Sequence, residues 1–214
     1  MSLPRPSLLV ITDRHQARTP LDDFAARLFA GGCRWLSLRE KDLSAADRLA
    51  LLRRLVALGA RWQARVTIHD DIAAAAEAGA AGVHLPSDGS VAEARRLLGN
   101  DALIGQSAHN ADEIARAAAA GADYVTLSPI FATISKPGYG PALGLAVLGE
   151  AWPLPVLALG GIDANNAAGC MAAGAAGVAV MGGAMRALDP QAFMADLLAR
   201  MGANLAPGPG SAHS

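Results

Sequence analysis

Residues 30–38 read AGGCRWLSL, and the phrase returns as AGAAGVHL at 78–85, AGADYVTL at 120–127 and AGAAGVAV at 173–180. Each copy puts a glycine (Gly31, Gly79, Gly121, Gly174) where a helix can close in the left-handed conformation, which glycine enters at little cost. An apolar run of strand length follows each one. The glycines stand 48, 42 and 53 residues apart, about twice the ~25 residues of one strand–helix unit. A second set of strands is therefore expected between them, and Leu8–Ile11, Val66–Ile68, Leu103–Gln106 and Val156–Leu159 supply it.

This makes eight short strands alternating with eight helical segments. In ADRLALLRRLVALGARW (46–62), Leu49, Leu52, Leu55, Val56 and Leu58 recur with helical period and gather on one broad face. Ser44, Asp112 and Asp163 stand at helix starts, where capping side chains belong. Alternating βα units imply a parallel sheet, and eight of them imply a closed TIM (β/α)8 barrel, with a doubly wound open sheet as the second choice. The expected domain covers residues 1–202. The Pro/Gly-rich tail ANLAPGPGSAHS, 203–214, is expected to be disordered.

Composition narrows the function classes. The chain has 214 residues, 52% of them hydrophobic and only 17% charged, with net charge −1. That balance argues against nucleic acid or an anionic membrane surface as partner. Cys33 and Cys170 lie far apart, match no metal-ligand spacing and read as small buried residues. The first apolar run ends at Thr12-Asp13, so neither a signal peptide nor a spanning segment is expected and the cytoplasm is the expected location.

In such a barrel the functional groups collect at the C-terminal strand ends. Read in order, these ends offer Thr12 and Asp13, then Arg39, Glu40 and Lys41, then His69-Asp70-Asp71, then His84 and the loop PSDGS. Strand 5 adds Ser107 and His109, and strand 6 leads into the long loop SPIFATISKPGYGPALG, with Thr133, Ser135 and Lys136. Strands 7 and 8 end in Gly160-Gly161 and Gly182-Gly183. A single glycine pair is an ordinary tight turn, but two at these adjacent ends suit a phosphate, because backbone N–H groups can then approach the anion closely. The substrate is thus expected to be a phosphate monoester. Arg39 and Lys41 at one strand end and Lys136 in the long loop suit a second, more highly charged group such as a diphosphate. His109 stands where a histidine can exchange a proton near neutral pH, whereas His84 lies deeper in its strand and reads as structural.

These strand ends resemble the thiamine-phosphate synthase and thiazole tautomerase family from about Leu8 to Met201. SLREK at 37–41 is similar to the family's QLREK, and GQSAH to its G-x-S-x-H step. SPIFATISKPG matches its G-P-I-F-x-T-x-[ST]-K loop, and LALGGID its IGGI turn. The resemblance implies a barrel that holds a phosphorylated thiazole at the glycine turns. In the synthase, a pyrimidine diphosphate sheds pyrophosphate with Mg²⁺ assistance and the thiazole nitrogen captures the pyrimidine cation. Carried over by position, Arg39, Lys41, Thr133, Ser135 and Lys136 match the diphosphate set, Ser107 a serine beside the pyrimidine, and Asp70 one of two Mg²⁺ aspartates.

Three positions depart from the synthase pattern: Ser37 for the glutamine, His69 for an asparagine, and Gly89 for the second metal aspartate. All bear on the pyrimidine half, and Leu85-Pro86-Ser87 matches the tautomerase branch. On these grounds the preferred activity is thiazole tautomerase, with His109 as acid/base and no cofactor. The alternative is the Mg²⁺-dependent synthase, for which the retained cations argue and in which a one-residue shift of the loop would let Asp88 replace the carboxylate missing at Gly89. A different phosphate-substrate barrel enzyme and a non-catalytic phosphate-ligand binder are the remaining readings. A homo-oligomer is compatible with all of them.

Overall fold

A computed structural model describes residues 2–132 and 141–202. The strands are β1 (Leu8–Ile11), β2 (Trp35–Leu38), β3 (Arg65–His69), β4 (Gly82–Leu85), β5 (Leu103–Ala108), β6 (Tyr124–Leu127), β7 (Val156–Ala158) and β8 (Gly177–Val180). All neighbours pair in parallel and in chain order, and β8 closes on β1 through Leu8↔Val178, Leu9↔Ala179 and Val10↔Val180. The closed barrel is therefore present and the open sheet is not.

The helices are α1 (Leu21–Ala30), α2 (Ala45–Ala60), α3 (Ile72–Ala78), α4 (Val91–Leu98), α5 (Ala111–Ala119), α6 (Ala167–Ala172), α7 (Gly182–Met185) and α8 (Pro190–Arg200). They are not spaced one per strand. Among the described residues only a 3₁₀ turn, Ala146–Gly149, lies between β6 and β7, while both α7 and α8 follow β8. None of the helices is long and apolar enough to cross a membrane.

Local chemistry explains most boundaries. Ser44, Asp71, Ser90, Asn110 and Asp189 each accept a backbone N–H of the first turn they cap. Asn110, not Asp112, caps α5, because its side chain lies one position before the helix and reaches the Glu113 amide. Gly79, Gly121 and Gly174 are left-handed as expected, but Gly31 is right-handed and Gly32 makes the left-handed turn. What Gly31 provides is a close approach: a Cβ there would lie 2.4 Å from the Gln191 carbonyl oxygen of α8.

Strand alternation divides the interior in two. Leu8, Val10, Leu36 and Leu38 face the helices and join the large outer core, with Leu51, Leu52 and Leu55 of α2. Leu9, Ile11, Trp35, Leu103, Tyr124, Leu157 and Ala179 face inward and form a separate plug inside the barrel. Both cysteines are buried and unpaired, and burial pushes the Cys33 thiol up to about 12.

The plug depends on Gly105. A Cβ there would lie 2.0 Å from Cζ of Tyr124, a fully buried ring that also meets Trp35 edge-on at 4.7 Å between centroids. A confined ring cannot yield as a flexible chain end would, so Gly105→Ala is expected to destabilise the fold by about 3 kcal/mol, at the upper end of overpacking costs. Urea denaturation followed by tryptophan fluorescence measures this.

Candidate active site

Barrel closure gathers every C-terminal strand end on one rim, and this is the first fact about the site. On β2, alternation turns Ser37 and Arg39 inward and Glu40 outward. The Arg39 amide donates to Thr12 Oγ1 at 2.9 Å. Glu40 is only 2% exposed, and its carboxylate accepts the Arg14 backbone N–H at 3.0 and 3.1 Å and the Arg14 guanidinium at 3.2 Å. Arg14 also grips Asp42 with two donors, which lifts its own pKa and holds the Asp42 carboxyl below the usual range. Glu40 is thus a brace between the first two loops, leaving Arg39, half-buried, and Lys41, exposed, as the cations of this strand end.

The acid pair after β3 divides its work. Asp71 caps α3 and binds Arg48 at 2.6 Å, so it is committed to the scaffold. Asp70 is exposed, has a left-handed backbone (φ +57°), and its amide donates to the His84 carbonyl at 2.9 Å. Among the described residues its carboxylate has no partner.

The loop after β4 is tied down by one side chain. Gln106 Nε2 donates to the carbonyls of Pro86, Ser87 and Gly89 at 3.0, 3.3 and 2.8 Å. Gly89 closes the turn through its amide to Pro86 O, and a Cβ there would meet Leu85 Cβ at 2.9 Å. An aspartate at Gly89 would therefore require this turn to shift. Asp88 is exposed and, among the described residues, unpartnered.

Mg²⁺ commonly takes one or two protein carboxylates and completes its shell with substrate phosphate and water. Asp70 meets that minimum, with Asp88 on the adjacent strand end as the other nearby acid. No group of three or more His, Cys, Asp and Glu among the described residues could hold a metal ion, so the donor set fits a substrate-bound magnesium and not a structural cage.

Inside the mouth lies a chain of polar contacts that sequence reading did not find. His84, 3% exposed, places Nδ1 3.0 Å from the Tyr124 hydroxyl and Nε2 3.1 Å from Ser107 Oγ and 3.3 Å from Thr126 Oγ1. Its ring stacks on His69 at 5.7 Å. Ser107 and His109, both expected to act on substrate, hold different partners. Glu113 Oε2 accepts the His109 backbone N–H at 2.8 Å and lies 2.9 Å from its Nδ1. Burial raises the Glu113 pKa, but these hydrogen bonds outweigh it and the net shift is downward. The spacing H-N-x-x-E was the available signal, since a glutamate three residues after an N-cap can reach back to the backbone before the helix; here it takes the His109 amide and not that of the Asn110 cap. For His84 and Tyr124 the only signal was their inward parity. Ser37 Oγ, on β2, is buried without a hydrogen-bond partner among the described residues.

The glycine turns differ from each other. Gly160 and Gly161 are both left-handed (φ +95° and +66°), and β-carbons there would meet Pro129 Cα at 2.8 Å and the Ala132 carbonyl at 2.7 Å. They are required by the base of the loop after β6, which is bonded to them through the Phe131 amide and Gly160 O. The far end of that loop returns through Leu143 and Gly144 amides to Pro129 and Ile130 carbonyls. Gly182 and Gly183 instead open α7, whose first amides have no intrahelical acceptor. Arg186 folds back over Gly182, its Nη1 2.6 Å from where a Cβ would stand, a cation at the glycine turn that sequence reading missed. Thr133, Ser135 and Lys136 lie outside the described residues.

The parallel barrel thus gathers cations, Asp70 and two glycine turns on one rim. The chain matches the thiamine monophosphate synthase family over residues 8–184, and it belongs to that family. The thiamine-phosphate synthase of Methanoculleus marisnigri is 42% identical over 206 residues, 94% of this chain and 98% of that one. That of Roseiflexus sp. is 38% identical, covering 89% and 84%. Among solved structures, thiamine phosphate pyrophosphorylase from Pyrococcus furiosus superposes with a TM-score of 0.82 at 26% identity, covering 92% of this chain and 95% of that one.

Burial holds the His84 imidazole at about 4, below the 6.5 of an open chain. The unfolded chain therefore takes up a proton between these values that the folded chain refuses. The resulting stability is fully present above pH 6.5 and is lost as pH falls toward 4, roughly 3 kcal/mol in all. Urea midpoints at pH 7 and pH 4.5 are expected to fall further for the wild type than for His84→Gln.

Proposed function

We propose that the protein is a thiamine-phosphate synthase, joining a hydroxymethylpyrimidine diphosphate to a thiazole phosphate with release of pyrophosphate. The observation that carries this reading is the 42% identity to the Methanoculleus synthase across nearly the full length of both chains. The tautomerase preferred from Ser37, His69 and Gly89 finds no support among relatives that bear the synthase name, and neither does a non-catalytic binder.

The chemistry suits the residues. The bond between the pyrimidine methylene and the diphosphate oxygen breaks, its electron pair leaves with the diphosphate, and the thiazole nitrogen lone pair forms the new C–N bond. No proton has to move. The requirements are charge neutralisation at the leaving group, alignment of two substrates and exclusion of water from the cation. Arg39 and Lys41, with Lys136 and the hydroxyls of Thr133 and Ser135, are the proposed diphosphate partners. Mg²⁺, when bound through Asp70, supplies further neutralisation of the leaving diphosphate. The amides at Gly160, Gly161, Gly182 and Gly183, with Arg186 beside them, are the proposed thiazole phosphate seat. Ser107 is the proposed partner of the pyrimidine, with His69, stacked on His84, as a further proposed contact. His109 has no proton to transfer in this reaction, and its bonds to Glu113 brace the start of α5.

Incubating the protein with Mg²⁺, the pyrimidine diphosphate and the thiazole phosphate is expected to yield thiamine phosphate. Asp70→Asn is expected to lower kcat/KM about 100-fold, and Asp88→Asn to leave it within about threefold. No thiamine phosphate, together with His109-dependent aromatisation of the thiazole carboxylate phosphate, would overturn the synthase reading in favour of the tautomerase.

A further inference from the structure

Tyr124, His84 and Ser107 form a line from the barrel plug to its mouth, and the direction of the protons along that line can be worked out. The imidazole is buried among hydroxyl groups, with Tyr124 on Nδ1 and Ser107 and Thr126 on Nε2. No anion among its hydrogen-bond partners would favour a charged ring, so it carries one N–H and one bare nitrogen. Two polarities are possible. In one, Nδ1–H donates to the phenol, and the phenol's own hydrogen then has no acceptor among the described residues although Tyr124 is fully buried. In the other, the phenol donates to bare Nδ1, and Nε2–H faces Ser107 and Thr126. It is then the buried Thr126 hydroxyl whose hydrogen has no acceptor among the described residues, so the count of unmet hydroxyls does not separate the two.

Two features select the second polarity. A phenol is more acidic than an aliphatic alcohol and is the better donor to an imidazole lone pair, and its hydrogen is confined near the ring plane. The Ser107 hydroxyl instead rotates freely, and Ser107 is partly exposed, so its hydrogen can reach a partner at the mouth. Gly105 keeps the phenol in place, because Tyr124 occupies the volume that any side chain there would need.

We propose that Tyr124 fixes His84 as the Nε2–H tautomer, and that His84, by donating to Ser107 Oγ, turns the serine hydroxyl into an obligatory hydrogen-bond donor facing the substrate. His84 is then a positioning residue. The arrangement has the outline of a base-activated serine but the opposite polarity: a nitrogen that already carries a hydrogen cannot take the serine proton, so Ser107 is not a nucleophile. The group Ser107 meets must be an acceptor, such as an unprotonated ring nitrogen. The tautomer is argued without the synthase reading, whereas its consequence for turnover rests on that reading.

The two parts are tested separately. The protein has five histidines, and in ¹⁵N-histidine NMR the His84 resonances are assigned as those lost in His84→Gln. We expect Nε2 protonated and Nδ1 bare; a protonated Nδ1 overturns the proposal. In steady-state kinetics, Ser107→Ala is expected to raise KM for the pyrimidine diphosphate about tenfold, and Tyr124→Phe several-fold, with kcat within about twofold. The double variant is expected to be no worse than Ser107→Ala alone, because Tyr124 acts through the serine. Losses that multiply would show an independent structural role for Tyr124 and overturn the positioning claim. If the wild type makes no thiamine phosphate, the synthase reading fails, and the NMR result by itself still upholds or overturns the tautomer.

Discussion

The interior of an eight-stranded barrel is just wide enough for side chains to fill it, and this protein answers that constraint with one aromatic pair. Trp35 and Tyr124 plug the barrel, and Gly105 gives up its side chain so that the phenol can lie across it. Because the aromatic rings occupy that space, the mouth can be polar. Ser37, Thr67, His84, Ser107 and Thr126 point inward on β2 to β6, where a fully apolar filling would have left nothing for a ligand to meet. The phenol links the two zones, being the end of the plug and the start of the polar chain.

The rim is built by a division of labour between neighbouring residues of like chemistry. Asp71 serves the scaffold and Asp70 faces solvent. Glu40 is locked to Arg14, while Arg39 and Lys41 on either side of it remain the cations of that strand end. Such alternation follows from the two-residue period of a strand carried a little past its end. It explains how a chain with so few charges concentrates several of them at one place.

Much of this was legible in advance. The recurring glycine followed by an apolar run located four strands, and the spacing between copies located the other four, because one strand–helix unit has a characteristic length. Residue placements at the rim followed from strand order, and the family followed from the motifs there. Less legible were features that depend on three-dimensional contact. Gly31 was expected to be a left-handed cap but is a packing glycine against α8. The His84–Tyr124 contact joins residues 40 positions apart, and no local pattern announces it. The activity was less legible for a different reason: Ser37, His69 and Gly89 point away from a synthase while the cations beside them point toward one, and Gly89 reflects the geometry of its turn as much as the loss of a carboxylate.

One irregularity of the wall has a consequence for how the molecule breathes. Between β6 and β7, where the regular pattern would place a helix, the described chain forms a single 3₁₀ turn held by Leu148 in the core and by the Trp152 indole on the Val147 carbonyl. A short turn contributes few cooperative hydrogen bonds, and segments of that kind open at lower free energy than long packed helices. The same connection carries the loop whose two ends are fastened to each other at the mouth. Resistance to opening is therefore uneven around the circumference of the described wall.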